Sequence, residues 1–418
     1  MTFLFKQRFL PIFVTQFFNA FSDSVLKNAV TILITYRIAK DAQSAGLLVT
    51  LSAGLFILPY FLFSATAGQL ADKYDRAQLA RFYKIMELFL MAFSVIAFYR
   101  NNTWFLMIIL FAMGAQSTFF GPIKYSLLPQ QLKGDELMAG NAYVEGGTFI
   151  SILVGTVIGG LVILRANGVF LISVILMLSA FIGYTSSRFI AYAPGGSPGL
   201  KINGNVFRES FDVVRYAAQN RNLLRYLLLI SWFWLVGSIF LAQISIFSKE
   251  FLYSDETVTT MCLTIFSVGI AAGSVFCSKV SKGNPSLRFV PAGAFGMALC
   301  TCLLVVFSRF TAAPDILYNA TLFVQSAARL PALLFLFGIA FSGGIYTVPL
   351  YTLMQTEADK NYIARVIAAN NILNSFFMVA SVIIVIGIYT AGFSVLSVFI
   401  LLAAVNLAIA FYLHISLG

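Results

Sequence analysis

The chain has 418 residues, 60% of them hydrophobic and only 10% charged, with a mean hydropathy of +0.89 and a formal net charge of +11. Soluble domains carry about 25% charged residues, so these proportions exclude a water-soluble globule, a disordered chain and a secreted disulfide scaffold. A polytopic membrane protein remains, with room for ten to twelve crossings of about 20 residues each.

Twelve apolar stretches follow one another at approximately 9–37, 44–71, 78–99, 103–128, 137–164, 168–190, 222–249, 257–280, 287–309, 330–356, 361–388 and 390–414. The first is preceded by Lys6 and Arg8, as in a signal sequence, but it contains Asp23 and Lys27 and lacks a small-residue cleavage site, so it reads as an uncleaved helix. Asn19, Asp23 and Lys27 recur every four residues and share one helix face. A charge inside the membrane costs about 2.5–3.5 kcal/mol on insertion scales and normally faces a cavity or a partner. An ion pair of Asp23 with Lys27 or Lys124 that only holds the bundle together is the structural alternative. In the third stretch, Glu87 stands near Lys84 and Arg81 and reads as a partner of one of them. Gln116 and Lys124 in the fourth stretch and Asn141 and Glu145 in the fifth extend the polar set.

The short loop after the second stretch runs Gly68-Gln69-Leu70-Ala71-Asp72-Lys73-Tyr74-Asp75-Arg76, followed by Arg81. Gly68 permits close helix approach, and the charges of Asp72, Arg76 and Arg81 can latch one conformation and release another. Residues 191–221 open on Pro194, Gly195, Gly196, Ser197, Pro198 and Gly199, a linker composition, and continue through Arg208, Arg215 and Arg221 as a short amphipathic surface helix. The chain thus divides into residues 1–190, a linker at 191–221, and residues 222–418.

In the second half the polar residues within the apolar stretches are neutral, chiefly Gln243, Asn370, Asn371 and Asn374. Charges on one wall of a cavity and neutral or apolar groups on the other suit an amphiphile. The halves repeat one another: Pro122 and Pro349 are each followed by a polar helix end, and Asn141 and Glu145 align with Asn370 and Asn374. Such repeats let two bundles rock about a central site. Most Lys and Arg fall on one side if both termini are inside, so the net charge is a topology signal and nucleic acid is not an expected partner. Cys262, Cys277, Cys300 and Cys302 form no CxxC pair and His414 is the single histidine, so neither a metal site nor a cofactor is expected. No nucleophile–base set is visible, and an enzyme is the least favoured reading.

Three stretches resemble the lysophospholipid transporters of the major facilitator superfamily: Gln16–Ala29, the loop from Gly68 to Arg81, and Phe120–Gly147, the last with its P-x-K-Y pattern followed by the asparagine and glutamate at 141 and 145. Asp75 stands where the superfamily loop usually has glycine, and the seventh stretch lacks the charge that relatives can carry. The resemblance implies an all-α fold of twelve transmembrane helices in two six-helix bundles, N-in and C-in, in a bacterial inner membrane. It implies a flippase that moves lysophosphatidylethanolamine or lysophosphatidylglycerol inward for reacylation by a separate acyltransferase, working as a monomer without an ion gradient. By the resemblance Asp23 and Lys124 correspond to polar cavity positions and Glu145 to the glutamate ending the third stretch; with the polar residues read above, the expected substrate set is Asn19, Asp23, Lys27, Gln116, Lys124, Asn141, Glu145, Gln243, Asn370 and Asn374, with Gly68, Asp72, Arg76 and Arg81 as the gate. A proton-coupled exporter of drugs or siderophores, with Asp23 or Glu145 carrying the proton, is the alternative within transport, and a non-transporting membrane scaffold is the alternative outside it.

Overall fold

The computed structural model describes residues 6–38, 42–282, 284–310 and 317–417. Among them every regular element is helical, apart from an isolated bridge between Ser254 and Tyr318. In chain order they are α1 (Leu10–Leu33), α2 (Ala42–Lys73), α3 (Arg76–Tyr99), α4 (Thr103–Gln131), α5 (Gly134–Val162), α6 (Gly168–Ser187), α7 (Val206–Gln219), α8 (Arg221–Phe251), α9 (Glu256–Val280), α10 (Phe289–Arg309), α11 (Ala320–Gln325), α12 (Leu330–Glu357), α13 (Ile363–Thr390) and α14 (Val395–Leu417). A π-helical turn at Ile34–Ile38 continues α1 directly. The short α11 lies between the apolar stretches 287–309 and 330–356, a segment of which 311–316 are outside the described residues.

The helix starts follow from local sequence. Asp75, Asn102, Asn205, Asp255 and Asn319 each accept a first-turn N–H at the heads of α3, α4, α7, α9 and α11, satisfying donors that the helix leaves unpaired. Proline opens α1, where the missing N–H costs nothing. Among the described residues eleven helices are long and apolar enough to cross a membrane; α1, interrupted by Asn19, Asp23, Lys27 and Asn28, is not among them. A multi-pass membrane protein follows, since a helix satisfies its own backbone groups inside hydrocarbon. Large apolar side chains face outward along these spans, for example Phe89 and Phe93 on α3, Phe170 and Phe181 on α6, and Phe295 on α10.

By packing, the chain divides into two compact units: Met1–Gly140, Ser151–Arg225 and Gln355–Ser375 form one, and Asn141–Ile150, Tyr226–Met354 and Phe376–Gly418 the other. Two stretches therefore pack away from the half of the sequence they belong to. In the first unit, α1 is the central element. Phe21, Val25, Ala29, Val30 and Leu33 are buried against Met91 and Phe98 of α3, Leu106, Leu110 and Met113 of α4, and Ile172 and Leu176 of α6. Gly155 and Gly159 bring α5 onto the α1 backbone, where added Cβ atoms would lie 2.8 Å from the Phe21 carbonyl oxygen and 2.6 Å from that of Val25. In the second unit aromatic side chains make the core: Phe240 stacks on Phe399 with centroids 4.8 Å apart, and Phe149 on Trp234 at 6.0 Å. Their polar tips are satisfied, Trp234 Nε1 by Tyr351 Oη at 2.9 Å and Trp232 Nε1 by Asn406 Oδ1 at 2.8 Å.

Candidate functional site

Two polar constructions stand out in the first unit. The first grows from the four-residue spacing on α1. Asn19 Nδ2 donates to Asp23 Oδ2 at 3.3 Å and to Ser117 Oγ of α4 at 3.0 Å, while Ser117 Oγ donates to the same Asp23 oxygen at 2.6 Å. Gln116 Nε2 closes the net, reaching Asn19 Oδ1 at 3.1 Å and the Tyr83 carbonyl of α3 at 3.2 Å. Asp23 Oδ1 is buried and has no hydrogen-bond partner among the described residues. One turn on, the half-buried Lys27 forms no ion pair among the described residues; its ammonium lies 5.8 Å from the Phe56 ring centroid. Asn28 donates to Thr156 Oγ1 of α5 at 3.0 Å. Asp23 is thus hydrogen-bonded by neutral donors, and Lys27, one turn away, acts on it through its charge without an ion pair within 4 Å among the described residues.

Beside this net, Lys84 and Glu87 pair with each other in full burial, as the i, i+3 spacing on α3 allows. Gly183 of α6 makes room for the lysine: a Cβ there would sit 2.7 Å from Lys84 Nζ. The pair leaves Glu87 Oε1 buried without a hydrogen-bond partner among the described residues, and both charges act on Asp23 beside it.

The second construction is the loop at Asp72. This carboxylate is fully buried and receives four donors. Arg76 Nη2 reaches Oδ1 at 3.2 Å, Arg365 Nε reaches Oδ2 at 2.9 Å, and the backbone N–H groups of Ala364 and Arg365, in the first turn of α13, lie at 3.1 and 3.3 Å. A helix amino terminus with its unpaired N–H groups is a natural seat for a carboxylate. Gly68 permits the approach, since a Cβ there would come within 2.8 Å of Ala368 Cβ and 3.0 Å of Arg365 Cα. The linker covers the same spot: Ser197 N–H donates to the Asp72 carbonyl at 2.8 Å, and Arg76 N–H to the Ala193 carbonyl at 2.8 Å. Arg81 acts elsewhere, donating to the Ile190 carbonyl at 2.9 Å beyond the end of α6.

The other sequence-derived residues distribute as follows. Lys124 is half-buried on α4, two turns beyond Gln116, with its ammonium 4.8 Å from the Tyr125 ring centroid. Asn370 and Asn374 on α13 are buried in the first unit, and neither amide atom of Asn370 has a hydrogen-bond partner among the described residues. Asn141, Glu145 and Gln243 are buried in the second unit. There Asn141 Nδ2 donates to Thr352 Oγ1 at 3.2 Å, and the Tyr389 hydroxyl donates to Gln243 Oε1. Sequence reasoning missed Ser117 and Arg365. The repeat register could have flagged Arg365: it stands five residues before Asn370, as Glu136 stands five before Asn141, and Glu136 is itself held by Lys6 and Arg8 at 2.5 and 2.6 Å. Among the described residues no group of His, Cys, Asp and Glu could hold a metal ion.

The family model of the Major Facilitator Superfamily matches residues 12–382. The chain is 25% identical over 390 residues to the lysophospholipid transporter LplT of Cronobacter sakazakii, covering 93% of this chain and 89% of that one. The LplT of Photorhabdus laumondii is also 25% identical, over 91% of this chain and 87% of its own length. In fold the chain is similar to the human organic anion transporter MFSD10, with a TM-score of 0.71 at 12% identity over 97% and 98% of the two chains. It is similar to FucP in its outward conformation, with a TM-score of 0.68 at 12% identity over 98% of both.

Proposed function

The chain belongs to the Major Facilitator Superfamily, and from that premise we propose that this transporter carries lysophospholipids between the leaflets of a bacterial inner membrane. It is a transporter and not an enzyme. The observation that supports the substrate reading is the polar face of α1, where Asp23 is held by Ser117 and Asn19, keeps one oxygen without a hydrogen-bond partner among the described residues, and has the Lys27 charge one turn away. An ammonium with no carboxylate in ion-pair contact can donate to a phosphate, and an anchored carboxylate with an unused oxygen can accept from the ammonium of ethanolamine. In this reading Lys27 and Lys124 take the phosphate, and Asp23 and Glu145 the amine, with Gln116, Asn19, Asn141, Gln243, Asn370 and Asn374 as neutral partners. The unsatisfied amide of Asn370 fits such a role, because buried amides without a protein partner point to a group from outside. The relatives' name supports the same substrate class.

The full proposal is a monomer with twelve crossings, both termini inside, that alternates access as the Asp72–Arg365 contact forms and breaks. Lysophosphatidylethanolamine and lysophosphatidylglycerol move inward, and a separate acyltransferase restores the second chain. Replacing Lys27 by alanine should lower transfer in proteoliposomes roughly ten- to hundredfold, the worth of one charge-assisted hydrogen bond, with folded protein retained. Undiminished transfer would make Lys27 structural and remove the support for this substrate. The buried, unpartnered Asp23 Oδ1 also favours a second reading, a proton-coupled exporter with Asp23 as carrier. Collapsing the proton gradient separates the two, since an antiporter stops and a flippase that needs no gradient continues.

A further inference from the structure

A second site is built at the opposite kind of surface, on the outside of the second unit. Arg288, immediately before α10, and Phe295 are seven residues apart, and so are Leu407 and His414 on α14 with Phe411 between them. Seven residues are two helical turns, so each set occupies one face of its helix. The two helices pack together, and the beginning of α10 meets the end of α14. This brings Arg288 and His414 to one end of a groove of about 620 Å³, whose remaining wall is apolar, chiefly Phe295, Leu407 and Phe411. That volume lies within the usual range for small-molecule sites, about 300–1,000 Å³. No acidic residue lines the groove, and neither basic side chain takes part in an ion pair among the described residues. None of the residues assigned above to the transported substrate lines it.

What fills this groove is set by where it lies. Both walls belong to helices long and apolar enough to cross the membrane, and Phe295, Leu407 and Phe411 are 51%, 51% and 67% exposed. Side chains so exposed along a span meet acyl chains rather than water or protein. Arg288 adds a permanent positive charge, and His414 an N–H donor in either protonation state. We propose that the α10–α14 groove is a binding site for an intact anionic phospholipid of the surrounding bilayer. Its phosphate sits on Arg288 and His414, and one acyl chain runs along Phe295, Leu407 and Phe411. This site is independent of the transport reading: it involves other residues, and its occupant is a resident two-chain lipid.

The test is native mass spectrometry of the full chain in micelles containing equal phosphatidylglycerol and phosphatidylcholine with identical chains. Wild-type protein should retain phosphatidylglycerol in roughly tenfold preference, as attraction by one or two bases near the phosphate supplies. Arg288→Ala combined with His414→Ala should bring the ratio to unity, while Arg309→Ala at the far end of α10 leaves it unchanged. A preference that survives the double substitution overturns the proposal, and so does displacement of phosphatidylglycerol by inorganic phosphate, which would mark a free-anion site. A second measurement keeps both bases: in Phe295→Trp, brominated phosphatidylglycerol should quench the new fluorescence more strongly than brominated phosphatidylcholine. Equal quenching contradicts the assignment whatever the double variant does.

Discussion

Asp72 gathers two guanidinium groups and two backbone N–H donors on a side chain with no exposed surface. A buried carboxylate is tolerable only with such compensation, and removing one member of a buried pair leaves the others uncompensated at a cost of about 3–5 kcal/mol. Asp72→Asn should therefore lower the melting temperature by several degrees. Arg365→Ala should be milder, because Arg76 and the two N–H groups still hold the carboxylate. Thermal unfolding in detergent checks the order, and equal melting temperatures for the two variants would contradict it. The same logic applies to Lys84 and Glu87: Glu87→Gln alone strands the lysine, whereas Lys84→Met with Glu87→Leu removes both charges and should be better tolerated in the same assay. Asp72 and Arg76 were legible in the sequence because their signature is local. Arg365 was not, because it lies 293 residues away and only the fold brings it to Asp72. The Lys84–Glu87 spacing was local too, but spacing alone did not decide between Lys84 and Arg81.

At the scale of elements, close packing of α5 on α1 rests on Gly155 and Gly159, four residues apart, the small-residue spacing by which membrane helices approach one another. Gly159 and Gly160 are neighbours in the chain yet differ in consequence. A Cβ on Gly159 would meet backbone of α1 at 2.6 Å, whereas one on Gly160 would meet only Ile32 at 3.9 Å. Gly159→Leu should reduce the yield of monodisperse protein on size exclusion, and Gly160→Ala should not. Loss of fold in both would mean that helix phase here is not what separates them. Which of two adjacent glycines faces a neighbour depends on that phase, and the apolar run around Gly159 and Gly160 in α5 does not reveal it. The helices themselves were readable because long apolar runs leave few alternatives inside a bilayer. The first was hardest to classify, since the polar residues that make α1 interesting also lower its hydropathy.

On the scale of the whole molecule, the packing units and the sequence repeat cut the chain differently. Residues 141–150 and 355–375 each pack with the unit formed mainly by the other half. Chain order gives the six-linker-six pattern but carries no record of such exchange, which is why the substrate residues proposed on α5 and α13 could be named without being placed. The proposed orientation, with both termini inside, makes a direct prediction. In a background without the native cysteines, Lys201→Cys should react with a membrane-impermeant thiol reagent only from the inside, and Arg100→Cys only from the outside; the opposite pattern would invert the topology.

The central claim is that the charges along α1 receive a lysophospholipid head group. Its most direct measurement is transfer of fluorescently labelled lysophosphatidylethanolamine between the leaflets of proteoliposomes, followed by chemical quenching of the outer leaflet. Protein-dependent transfer should persist without a proton gradient, fall sharply in Asp23→Asn and Lys27→Ala, and leave two-chain phosphatidylethanolamine in place. Transfer no faster than in protein-free vesicles, or equal in wild type and both variants, would contradict it.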